Sequence, residues 1–176
     1  LNKYGDIHSQ EQTSFIRRVS ESTSFENISS VLDQLKNLKV LVIGETIIDQ
    51  YVFCEALGKS GKEPVLALRE LETQNYLGGS LAIARHLSDF CSQVSVLSFL
   101  GEDEEHRSFI ENNIEENISL NFLTKSNSPT ILKRRFVDSI DQKKILGVYS
   151  INDDLITNDE ENLFIESFDE LSKKHD

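Results

Sequence analysis

The sequence predicts an α/β fold: a doubly wound, mostly parallel sheet that carries a small β-sheet lid. Three observations lead there. Short apolar runs alternate with helical segments, the order expected of a sheet with parallel strands. Two pairs of strand-like segments fall outside that alternation and read as hairpins. The apolar run Lys39–Ile43 ends on Gly44, with Asp49 soon after it, and Gly78-Gly79-Ser80 opens an amphipathic stretch downstream. Open α/β proteins place their ligands at such strand ends and helix starts.

The elements follow in order. Residues 1–37 are rich in Ser, Glu, Gln and Asn and lack strand patterning. Phe25, Ile28, Val31, Leu32 and Leu35 recur at helical spacing, which predicts a short helix capped by Ser24 or Ser22. The rest of that segment reads as a linker, with a boundary near Leu38. Lys39–Ile43 is a continuous apolar run, the pattern of a strand covered on both faces. Gln50–Leu57 and Pro64–Leu71 read as two strands joined by a turn with Gly58 and Gly61. Ser80–Phe90 reads as a helix, with Leu81, Ala84, Leu87 and Phe90 on one face. Val94–Leu100 is a strand, and Asp103–Glu116 reads as a helix with an acidic start that suits the macrodipole. Ile118–Leu123 is a short strand. Ile131–Ser139 and Lys144–Ser150 form a hairpin around Asp141-Gln142. Asp159–Lys174 is a helix capped by Asn158 or Thr157.

Composition excludes several function classes. The chain of 176 residues has 18 basic and 30 acidic side chains and a net charge of −12. No basic footprint for nucleic acid or an anionic membrane surface is present. Cys54 and Cys91 lack the spacing of a zinc or redox motif and read as reduced packing residues. No apolar run spans a bilayer and no signal peptide is visible, so a cytoplasmic protein is expected. The chain starts at Leu1 and contains no methionine, which reads as a fragment of a longer frame.

Each candidate residue carries a chemical reason. An ionised Asp49 is acceptor-only and suits sugar hydroxyls as donors, though a loop or cap aspartate reads equally well. Gly78 and Gly79 would let backbone amides approach a ligand closely; an ordinary turn before a Ser80 cap is the plainer alternative. This pair is neither the dinucleotide fingerprint nor a P-loop. Strand alternation puts Lys133 and Arg135 on one face and Arg134 on the other. Two cations on one lid face would attract a phosphorylated substrate, or simply protect a sheet edge. Gly101-Glu102-Asp103-Glu104 reads as a turn into an acidic helix start, and the four histidines show no metal-ligand spacing.

Taken in order, strand-Gly44, Asp49, lid strands, Gly78-Gly79, Gly101-Glu102-Asp103 and a second lid hairpin resemble the ribokinase/PfkB carbohydrate kinases. The stretches Val40–Tyr51, Lys59–Val65 and Pro129–Arg135 resemble the heptose-7-phosphate kinase domain of bifunctional ADP-heptose enzymes. The resemblance covers residues from about Leu38 to Asp176. It implies a ribokinase-like fold in which Asp49, Gly78 and Gly79 bind sugar hydroxyls, Lys133 and Arg135 face the sugar phosphate, and the lid closes over both. The asparagine usual three residues after the second glycine is Ala82 here. The resemblance also implies ATP and Mg2+ in the intact enzyme and a homodimer through the lid strands. The family's Gly-Ala-Gly-Asp motif, which holds the general base, does not occur in these residues, so the N-terminal half of a kinase domain is expected, inactive by itself. Leu1–Tyr4 is similar to the end of a nucleotidyltransferase domain. A non-catalytic, sugar-binding or dimerising domain beside a nucleotidyltransferase is the alternative. A flavodoxin-like or Rossmann-like domain is a weaker one, opposed by the two hairpins.

Overall fold

The computed structural model describes residues 9–61 and 63–176. The chain divides into two compact units, Leu1–Asn37 and Leu38–Asp176.

In the first unit, α1 (Gln10–Ser22) occupies much of the stretch expected to be a linker. Its start is a capping box. The Gln12 amide donates to Ser9 Oγ at 3.2 Å, and the Ser9 amide donates to Gln12 Oε1 at 2.9 Å. That pattern satisfies two of the free amides every helix start leaves. The second helix, α2 (Phe25–Leu35), matches its expected span and is capped by Ser24. Neither helix buries a residue. The reading of Leu1–Tyr4 lies outside the described residues.

The second unit is built on two sheets. In the first, β1 (Lys39–Ile43), β4 (Gln93–Gly101) and β5 (Ile118–Lys125) lie parallel in the order β1-β4-β5. The central strand β4 buries Val94, Val96, Leu97 and Leu100, residues of both its faces, as a covered parallel strand must. Leu81 and Ala84 of α3 (Ser80–Ser88) and Ile110 of α4 (Arg107–Glu111) join the same apolar core. The last helix, α5 (Asn158–Ser172), is tied to the β5 end through Glu160, which accepts from the Ser126 amide at 2.6 Å.

The second sheet is the lid. Strands β2 (Thr46–Lys59), β3 (Leu66–Gly79), β6 (Ile131–Asp138) and β7 (Lys144–Ser150) take the order β3-β2-β6-β7. The β2–β3 and β6–β7 pairs are antiparallel, and β2 joins β6 in parallel. The two expected hairpins therefore form one four-stranded body.

Three expectations are corrected. The helix expected over Asp103–Glu116 is only Arg107–Glu111. Glu104 adopts a φ of 48°, and Arg107 turns back to clasp its carboxylate at 2.7 Å, so the acidic stretch is a turn. Asn113 then donates to the Phe109 carbonyl at 2.8 Å and competes with further helical turns. Both strands of the first hairpin are longer than expected, and β2 starts at Thr46, so Asp49 lies within a lid strand rather than in a loop. Gly78-Gly79 closes β3 instead of forming a turn. Gly79 is the N-cap, and Ser80 Oγ donates to the Glu45 carbonyl at 3.0 Å rather than capping α3.

Candidate functional site

Register on the lid sets the site. Asp49 stands opposite Tyr76 on β3 and Lys133 on β6; Tyr51 stands opposite Arg135. Side chains two apart on a strand share a face. Asp49, Tyr51, Tyr76, Lys133 and Arg135 therefore share one lid face, with Tyr149 of β7 opposite Lys133. The other face sends Ile48 and Leu77 into the core.

On the shared face, Arg135 Nη1 donates to Asp49 Oδ1 in a close ion pair, both side chains being largely covered. The Arg135 guanidinium also lies over the rings of Tyr51, 5.5 Å from the centroid, and Tyr149, 5.9 Å away. Such stacking suits a planar, weakly hydrated cation. The hydrogen bond to Asp49 raises the Arg135 pKa above its ordinary value, against the opposing effect of burial.

Gly78 is buried beneath Asp49. A Cβ built there would stand 2.5 Å from Asp49 Oδ2 and 3.2 Å from the Ile47 carbonyl oxygen. Gly79 has a φ of 58°, and a Cβ there would collide with the Glu45 carbonyl. Only glycine adopts that backbone readily with so little room. The Glu45 carbonyl accepts from the Ser80 amide at 2.9 Å, fixing the junction between the sheets.

Of the five residues singled out in the sequence, Asp49, Gly78 and Arg135 are in direct proximity. Gly79 is one residue further, at the helix start. Lys133 is on the same face, with no carboxylate partner among the described residues. The tyrosines escaped sequence reasoning. The signal was there, because Tyr51 is two residues from Asp49 and Tyr76 two from Gly78, but aromatic strand residues usually read as core.

Two concavities flank these residues. A cavity of about 240 Å³ sits at the carboxyl ends of β1, β4 and β5, lined by Gly44, Thr46, Gly101, Lys125, Thr130 and Asn152 among others. Gly101 fits there because a Cβ would strike the Pro129–Thr130 backbone. A broader depression of about 430 Å³ lies on the lid face between Asp49 and Lys144. Among the described residues, no group of three or more His, Cys, Asp or Glu side chains could hold a metal ion. No helix among them is long and apolar enough to cross a membrane.

Comparison with known proteins agrees with this architecture. The family model of pfkB carbohydrate kinases matches residues 37–173. A D-beta-D-heptose 7-phosphate kinase from Bordetella bronchiseptica is 28% identical over 116 residues, covering 66% of this chain and 36% of that protein. The bifunctional protein HldE of Campylobacter jejuni is 29% identical over 135 residues, 77% of this chain and 27% of that protein. The chain thus spans about a third of the length of these curated relatives, or less. A Thermotoga maritima structure described as a possible 1-phosphofructokinase superposes with a TM-score of 0.58 at 17% identity, over 78% of this chain and 42% of that one. It shares the ribokinase-like fold of a parallel sheet with a β lid. With the fold, the glycine-backed carboxylate and the family match in agreement, this chain belongs to the pfkB family of carbohydrate kinases.

Proposed function

We propose that this chain is the sugar-gripping part of an ATP-dependent kinase acting on a sugar phosphate of the heptose-phosphate kind. The observation that carries the reading is the convergence of Asp49, Gly78 and Arg135 on one lid face. The Asp49 carboxylate accepts hydrogen bonds from sugar hydroxyls, and Gly78 and Gly79 keep the backbone open to the ring. Lys133 and Arg135 face the substrate phosphate. Fixing the acceptor sugar in place supplies orientation, and a closed lid keeps water from the transferring phosphoryl group. The ATP and Mg2+ of the intact enzyme are assigned to no residue here. Lid strands pair two copies into a homodimer, and a nucleotidyltransferase shares the polypeptide. The Campylobacter relative is named a bifunctional protein, which supports a second activity on the polypeptide.

Incubating the intact protein with Mg-ATP and a panel of heptose and hexose phosphates tests the reading. Phosphorylation of at least one sugar is expected, with Asp49→Asn slower by about a hundredfold at low substrate concentration. Absence of ADP release with every sugar would overturn it. A second reading, a non-catalytic sugar-binding module, is favoured by Ala82. It stands in the first turn of α3, three residues after Gly79, and offers no polar contact to a hydroxyl. Sugar binding without ADP release would select that reading.

A further inference from the structure

The depression between Asp49 and Lys144 has an uneven charge. Its walls include Asp49, Tyr51, Phe53, Tyr76, Val137 and Lys144. Asp49 is already neutralised by Arg135. Lys144 has no carboxylate partner among the described residues. It is therefore the one uncompensated charge on that wall, in a chain whose net charge is −12. Lys144 stands opposite Val137, next along the shared face from Arg135. Between the two ends, Tyr51 and Tyr76 pack edge to face with centroids 5.7 Å apart. Tyr76 is half exposed, so an aromatic surface remains open to a ligand. The volume of about 430 Å³ falls within the range of small-molecule sites.

We propose that this depression is a sugar-phosphate subsite in which Lys144 receives the phosphate beside Arg135 while the sugar ring lies on Tyr51 and Tyr76. The assignment rests on the carbohydrate-binding reading above and adds residues to it. An ammonium on a flexible stem can follow the phosphate, while the Arg135 fork, held by Asp49 and two rings, supplies a fixed positive charge beside it. The apolar faces of a sugar ring match a tyrosine surface whose polar edges stay wet. Lys144 selects for the anionic group and the tyrosines for the ring, so the two contributions separate experimentally.

Calorimetric titration of the intact protein with heptose 7-phosphate, and with the same heptose lacking phosphate, tests this. Lys144→Gln should weaken heptose 7-phosphate binding about tenfold and leave the unphosphorylated sugar unchanged, with Lys144→Arg restoring the phosphate preference. Tyr76→Ala should weaken both ligands alike. Lys144 is exposed, so the variants should keep the wild-type circular dichroism spectrum. Equal binding of the two ligands by wild type, or no loss in Lys144→Gln while Asp49→Asn abolishes binding, would overturn the subsite and leave the sugar grip standing. Unchanged binding in Asp49→Asn would overturn both.

Discussion

At the residue scale, two glycines that look alike in sequence differ in what surrounds them. A methyl group at Gly78 meets the end of the Asp49 side chain, which can swing aside, and only grazes the Ile47 carbonyl. Gly78→Ala should therefore fold, with a stability loss of about 1 kcal/mol, but lose at least tenfold in sugar affinity because the carboxylate is displaced. A methyl at Gly101 meets the Pro129–Thr130 backbone, which cannot move alone. Gly101→Ala should lower stability by about 3 kcal/mol or more, seen as an early midpoint in urea unfolding. Sequence alone ranked the Gly78-Gly79 pair by motif order. It held no sign that Asp49 is neutralised, because the Arg135 contact joins positions 86 residues apart. Sequence alternation placed Lys133 and Arg135 on one face; which of them reaches Asp49 depends on strand register across β2 and β6.

At the element scale, one buried carboxylate anchors the start of α5. Glu160 accepts from the Thr157 amide at 2.7 Å and from the Ser126 amide at 2.6 Å, in a buried position. Those bonds lower its pKa from 4.5 to about 2. A carboxylate depressed in the folded state stabilises fully above its unfolded pKa and loses that contribution as pH falls through the folded value. Wild type should thus lose on the order of 2–3 kcal/mol between about pH 5 and pH 2 from this group. Glu160→Gln should be weaker at neutral pH and flatter across that window, as chemical denaturation at several pH values would show. The cap was legible, since Thr157 and Glu160 have capping-box spacing. The extent of α4 was not. Acidic residues at 102–105 suit both a turn and a helix start, and the φ of 48° at Glu104 leaves no periodic trace. The polar stretch Glu72–Asn75 of β3 hid its strand character, because both its faces are largely exposed and apolar alternation had nothing to mark.

At the scale of the whole molecule, alternation of apolar runs with helices gave the parallel sheet, and the hairpins outside it gave the lid. That the hairpins merge through a parallel β2–β6 contact was hidden, because parallel neighbours far apart in sequence share no turn signal. The merged lid leaves β3 and β7 as its outer strands. Charged Arg69, Glu70 and Glu72 interrupt the exposed Leu66, Leu71 and Tyr76 of β3, whereas β7 exposes Leu146, Val148 and Tyr149 close together. Such an apolar edge invites pairing with another copy. Sedimentation of the intact protein should report a dimer, and Val148→Lys should shift it to monomer. The junction between the sheets has a mechanical consequence. Thr46 Oγ1 donates to Ser98 Oγ at 2.8 Å in the buried interior, and the Glu45 carbonyl holds both the amide and the hydroxyl of Ser80. The ladder of β2 against β3 slips register only further out, between Phe53 and Cys54 and between Ala56 and Gly58. Bending therefore concentrates in the outer reach of the flap while the carboxylate near its root stays still, so amide hydrogens of residues 47–52 should exchange with deuterium far more slowly than those of 55–59.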